Sequence, residues 1–112
     1  MNFIDYEDFK KVKICVGTIV TAQEKNDLKK PSIILTIDFG KEIGVKKSSA
    51  QLRVNYKCKD LINKQVLAVV NFVPKQIGNI ISEALVLGLP DDNNEPILVL
   101  PEKLIKNGKK LY

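Results

Sequence analysis

The run Lys46-Lys47-Ser48-Ser49-Ala50-Gln51-Leu52-Arg53 places hydroxyl and amide side chains between cations. Cations supply affinity for a phosphodiester backbone, and hydroxyls and amides supply geometry, so these residue types suit contact with a nucleic acid. A solvated edge strand accounts for the same composition. Further on, Val70-Asn71-Phe72-Val73-Pro74-Lys75-Gln76 closes an apolar run with an amide, an aromatic ring, a proline and a cation. Phe72 beside Lys75 could stack on a base, as in single-strand binders, or continue the core while Asn71 hydrogen-bonds the loop. Ser82-Glu83 follows a loop containing Gly78. Ser82 could donate to a phosphate while Glu83 organises neighbouring lysines, or it could satisfy loop backbone.

Other chemistries lack their equipment. The chain has no His, the commonest general base. Cys15 and Cys58 lie far apart without His partners, so they read as reduced, core-filling thiols rather than zinc ligands. Asp38-Phe39-Gly40 spells a kinase tripeptide, but neither a Gly-rich loop nor a catalytic loop accompanies it. No glycine spacing gives a phosphate loop, and no Gly-x-Ser-x-Gly occurs. The pairs Glu7/Asp8, Glu24/Asp27 and Asp91/Asp92 fall in loops or a helix turn, where surface solvation explains them. A non-enzymatic protein without cofactor or metal is expected.

These candidates need a scaffold, and the apolar pattern supplies one. Phe3, Tyr6 and Phe9, three apart, predict a short N-terminal helix over residues 3–10 with Asp5 as its cap. From Val12 the period becomes two, with Val12, Ile14, Val16 and Val20 as the apolar set and Gly17 marking a bend or bulge. Residues 25–31 read as a charged loop, and Ser32 to Phe39 as a strand with Ile33, Leu35, Ile37 and Phe39 on one face. The basic segment is the third strand. Asn55 to Asn63 suggests a short helix, Gln65 to Phe72 and Glu83 to Leu89 two more strands, and Ile97 to Leu100 the last. A polar loop spans Pro90 to Pro96, and Asn107-Gly108 marks a closing turn. Five or six strands with one short helix between the third and fourth match an all-β OB-fold, a five-stranded Greek-key barrel with a ligand-binding face.

The bulk numbers agree with this scaffold. At 112 residues the chain reads as one domain, 1–112. Its net charge of +5 implies only mild affinity for polyanions, and Arg53 is the single Arg. No apolar run approaches the roughly 18 residues of a membrane span, and the acidic N-terminus is unlike a signal peptide, so a cytoplasmic protein is expected.

Ile14-Cys15-Val16-Gly17-Thr18-Ile19-Val20, Lys30-Pro31, Ile37-Asp38-Phe39-Gly40, Ile43 to Gln51, Val69-Val70-Asn71-Phe72 and Ser82 to Gly88 occur in that order. Over about residues 7 to 111 the chain thereby resembles the CsaA-type proteins, relatives of the tRNA-binding domain appended to bacterial methionyl-tRNA synthetases. The resemblance implies an OB-fold homodimer, tRNA binding by shape, and for the CsaA branch a chaperone role in protein export. It places Lys46, Ser48, Ser49, Gln51, Asn71, Lys75, Ser82 and Glu83 on the family's polar binding face. Lys47 and Arg53, together with Lys29 and Lys30, are expected to add phosphate contacts. Two departures remove charge: Cys15 stands where relatives commonly have Arg, and Ile81 where they often have a cation. Ala84-Leu85 after Ser82-Glu83, rather than Gly-Met, favours the stand-alone branch. The rival expectation is a chaperone groove for unfolded or export-bound polypeptides, favoured by exposed Ile80 and Ile81 before Ser82.

Overall fold

A computed structural model describes all residues, 1–112. Helix α1 covers Tyr6–Lys11, with Glu7 and Asp8 in its first turn and Lys10 and Lys11 in its last, as the helix dipole favours. It starts later than the spacing of Phe3 suggests, because Asp5 keeps an extended backbone at the N-cap position, and the Asp5 side chain makes no cap hydrogen bond. None of its residues is buried. Strands β1 (Ile14–Lys25), β2 (Ser32–Asp38) and β3 (Val45–Ala50) follow, then the single-turn helix α2 (Cys58–Leu61) and β4 (Gln65–Val69). The chain continues through β5 (Lys75–Ile77), β6 (Ile80–Ser82), β7 (Leu85–Val86), β8 (Gly88–Pro90) and β9 (Pro96–Leu98).

The main sheet runs β3-β2-β1-β4-β7, antiparallel throughout, while β5-β6 and β8-β9 form separate hairpins. Strand β1 curves through two partners: Ile14–Thr18 pair with β4, and Thr18–Lys25 pair with β2. The register on the β2 side shifts between Ile19 and Thr21, which leaves Val20 unpaired as a bulged residue. A bulge bends its strand and raises the local twist, and this curls the sheet into the OB-like barrel that the element order suggests. Helix α2 sits between β3 and β4 as expected, and its Leu61 is fully buried.

The bulge also changes which residues of β1 face the core. Cys15 and Ile19 belong to the core cluster, whereas Val20 is exposed. Of the expected even-numbered set before the bulge, Val16 is fully buried and Ile14 half-buried, so both faces of this stretch are covered. Gly17 is not the bulge; a Cβ there would lie 2.6 Å from the Ile37 side chain and 2.7 Å from the Phe39 ring. The residue is glycine because those two core side chains already fill the space. In β2 the alternation holds: Ile33, Leu35, Ile37 and Phe39 all enter the core with Leu52, Leu61, Val66, Ala68, Ala84 and Leu98.

Strands β1 and β4 are secured by the C-terminal segment. Gly108 N–H donates to Val16 O at 2.8 Å, Val16 N–H to Lys109 O at 3.0 Å, and Leu111 N–H to Ile14 O at 2.8 Å. Gln65, buried at the start of β4, exchanges hydrogen bonds with the Ile105 backbone at 2.6 and 3.1 Å. No helix is long and apolar enough to cross a membrane.

Candidate nucleic-acid interface

Strand β3 carries the basic run, and its register divides that run in two. Cross-strand partners share a face of a sheet, and successive residues alternate between faces. Lys46 pairs with Ile37, Ser48 with Leu35 and Ala50 with Ile33, so these three follow the core-facing residues of β2. Lys47 and Ser49, opposite Thr36 and Ile34, take the other face. Ser48 is accordingly 1% exposed, and its hydroxyl has no hydrogen-bonding partner. Lys46, at the end of the strand, reaches out to the Glu83 carboxylate at 3.9 Å.

Barrel closure explains the Ser82-Glu83 pair. Strand β3 is the edge of the main sheet, and the chain from β6 to β7 returns against it. Glu83 N–H donates to Lys47 O at 2.8 Å, while Lys47 N–H donates to a Glu83 carboxylate oxygen at 3.2 Å. Ser49 N–H donates to Ser82 Oγ at 3.1 Å. Two side chains thus supply what a neighbouring strand's carbonyls would, and they occupy edge groups that would otherwise be open to pairing. Ala84 then enters the core.

Asn71 is likewise committed to the fold. Its Nδ2 donates to Lys11 O at 2.8 Å, and its Oδ1 accepts from Lys13 N–H at 2.9 Å, clasping the link between α1 and β1. Arg53 lies beyond β3, where its guanidinium pairs with Glu24 at 3.6 Å across exposed surface. Such pairs contribute little stability in water.

The remaining candidates converge on the β5–β6 hairpin. One cleft of about 360 Å³ is lined by Ser49, Ser82, Glu83, Lys75, Phe72 and Val73, with Ile77, Ala84 and Leu85. A second, of about 490 Å³, is lined by Lys29, Lys30, Ser32, Ser49, Gln51, Gln76 and the Gly78 turn. Ser49 and Ile77 line both, so the clefts adjoin. The chain's five ion pairs leave Lys29, Lys30 and Lys75 unpaired. The one carboxylate that lines either cleft, Glu83, is held by Lys46 and by the Lys47 N–H. The charged groups that line the two clefts are therefore three unpaired ammonium groups and one paired carboxylate, set among hydroxyls and amides.

The two clefts lie side by side along the edge strand of the barrel. Residues 14–110 match the family described as "Putative tRNA binding domain". The chain belongs to that tRNA-binding domain family. It is similar to the chaperone CsaA of Bacillus anthracis, with 40% identity, a TM-score of 0.93, and 99% of this chain and all of that one covered. The CsaA chaperone of Picrophilus torridus is 45% identical, with a TM-score of 0.91 over 98% of this chain and all of that one. Methionine–tRNA ligase of Pyrococcus horikoshii is 33% identical over 111 residues, which cover 99% of this chain and 15% of the ligase. The chain thus spans a small part of the curated ligases that it matches.

The β5–β6 hairpin is the feature that sequence reading leaves as a loop. Its signal is present: Gly78-Asn79 between Ile77 and Ile80 is a two-residue hairpin turn flanked by apolar residues, with Gly78 at φ +60°. The hairpin brings Gln76 to the site. Of the two isoleucines expected to be exposed, Ile81 is, while Ile80 is half-buried in the hairpin.

Proposed function

We propose that this protein binds tRNA by shape, as a non-enzymatic homodimer in the cytoplasm, with residues 1–112 acting as one OB-fold domain. The observation that carries this reading is the pair of adjoining clefts, where Lys29, Lys30 and Lys75 stand without carboxylate partners beside Ser49, Gln51, Gln76 and Ser82. Lys46 and Lys47 add cations along the rim, and Arg53 lies at the far end of the same run. Asn71 and Glu83 act on binding through the shape of the face, because hydrogen bonding already occupies their polar groups, while Ser48 is buried beneath it. Lysine ammonium groups recognise phosphate as point charges and carry little base discrimination, which suits recognition of a folded outline.

Dimerisation is supported by apolar side chains left in water at both termini: Met1, Phe3, Ile4 and Tyr6 at one, Leu104, Leu111 and Tyr112 at the other. Two copies double the cationic surface and raise avidity without new contact types. Sedimentation equilibrium measures the mass directly, and a monomer at micromolar concentration would refute the dimer.

Titration of labelled tRNA at several salt concentrations tests the binding. Counterion release gives a log–log slope of roughly −0.7 to −0.9 per phosphate neutralised. Binding that ignores salt, or none at all, would end this reading. A polypeptide-binding chaperone is the second reading, supported by exposed Phe72, Val73, Ile81 and Leu85. Suppression of aggregation of an unfolded client, with tRNA as competitor, separates the two.

A further inference from the structure

Phe72 is 55% exposed, and no other aromatic ring stacks on it; the only ring pair in the chain is Tyr6–Phe9. Phe72 shares one cleft with exposed Val73 and Leu85, and a contiguous apolar patch of this kind marks a contact surface. Phe72 is also held in place. Asn71, the residue before it, is clasped by the backbone of Lys11 and Lys13, and Pro74 restricts the chain two residues later. The ring lines the 360 Å³ cleft with Val73, Ile77 and Leu85, together with Ser49, Ser82 and Lys75.

Building on the proposed tRNA binding, we infer that this cleft takes one unpaired nucleobase of the RNA, stacked on Phe72, with Lys75 on its phosphate. A base has an apolar face and a polar edge, and the cleft offers an aromatic wall and hydroxyls to match. A base-paired helix hides its base faces, so this contact selects a looped-out or terminal nucleotide. Extended polypeptide fits less well here. A peptide adding to β3 would need edge groups that Ser82 and Glu83 already occupy at Ser49 and Lys47. An apolar peptide side chain, moreover, makes no use of Lys75 or the hydroxyls.

The chain contains no Trp, so Phe72→Trp installs a single indole at the site. Three probes are added in turn: a short single-stranded oligoribonucleotide, a blunt RNA duplex of equal length, and a Leu- and Phe-rich unfolded peptide. The single strand is expected to quench the indole saturably, and the duplex to leave it nearly unchanged. Phe72→Leu should weaken tRNA binding roughly tenfold with the melting temperature kept, and Phe72→Tyr should restore it. Quenching by peptide and not by the single strand would overturn the inference in favour of a polypeptide groove. Emission that changes with protein concentration alone would overturn it in favour of a second copy covering Phe72. Normal tRNA binding with no quenching by the single strand and no loss in Phe72→Leu would overturn it while leaving tRNA binding intact. Absence of tRNA binding in the wild type would instead refute the broader reading.

Discussion

Strand β3 and the β5–β6 hairpin divide the site's labour unequally. The strand holds the conspicuous run of cations and hydroxyls, yet its alternation turns Ser48 inward and draws Lys46 to Glu83. Its edge groups at Lys47 and Ser49 are occupied by Glu83 and Ser82. The hairpin and its approaches look ordinary in sequence, yet they set Phe72, Lys75 and Gln76 around two open clefts. Chemical conspicuousness and availability are therefore different properties. A side chain becomes available for a ligand only when the fold has not already claimed its polar groups.

Replacing the unpaired cations tests this division most strongly. A Lys29→Ala/Lys30→Ala/Lys75→Ala protein should bind tRNA roughly 100-fold more weakly at low salt, with the salt slope shallower by about 2 to 3. Its melting temperature should be unchanged. Lys46→Ala/Lys47→Ala should cost less affinity, because Lys46 already has a partner; the opposite ranking would break the comparison.

Glu83→Ala should show the reverse signature. It leaves the Lys47 N–H without its acceptor and removes the partner of Lys46, a loss of about 2 kcal/mol, or roughly 10 °C in melting temperature. Thermal denaturation by circular dichroism measures it. Full stability with lost tRNA binding would instead make Glu83 a direct contact.

Ser48→Ala should be nearly silent. It deletes a buried hydroxyl that has no partner, so stability should stay level or rise by about 1 kcal/mol, with tRNA affinity unchanged. Ser49→Ala should leave stability alone and weaken binding slightly, because its hydroxyl lines the clefts.

The smallest effect concerns the β8–β9 turn, outside the site. A hydrogen bond from Asn55, then those from the Glu95 and Asn93 backbone, hold the Asp91 carboxyl below its ordinary value. The folded group is the stronger acid, so its stabilisation is present above about pH 4 and is lost as pH falls through the lowered folded value. Amide chemical shifts of Asn93 and Glu95 should therefore move below that pH, and do so at higher pH in Asn55→Ala. Movement in wild type already at neutral pH would exclude this assignment.

How much was legible in advance depends on how many faces of an element are buried. Strand β2 is legible because Ile33, Leu35 and Ile37, with Phe39 just beyond its end, meet one core. Strand β1 hides its period because Cys15, Val16 and Gly17 are all buried in succession, and because the bulge at Val20 shifts the register. The run Glu83 to Leu89 looks like one strand in sequence but breaks into β7 and β8, since Leu85–Val86 pair with β4 and Gly88–Pro90 pair with β9. The hairpin is announced only by Gly78-Asn79, because Lys75-Gln76-Ile77 is too short to show a period.

The sequence by itself determined the fold class, the order of the principal elements, the cationic balance and the family. Those follow from local periodicity, turn chemistry, composition and motif order, all of which are one-dimensional. Only the tertiary structure decided which half of Lys46 to Arg53 faces outward, that Ser82 and Glu83 close the barrel, that Asn71 clasps Lys11 and Lys13, and that Phe72 stands uncovered beside Lys75. Each of these depends on pairing between residues distant in sequence, where a shift of one position turns a side chain from solvent to core.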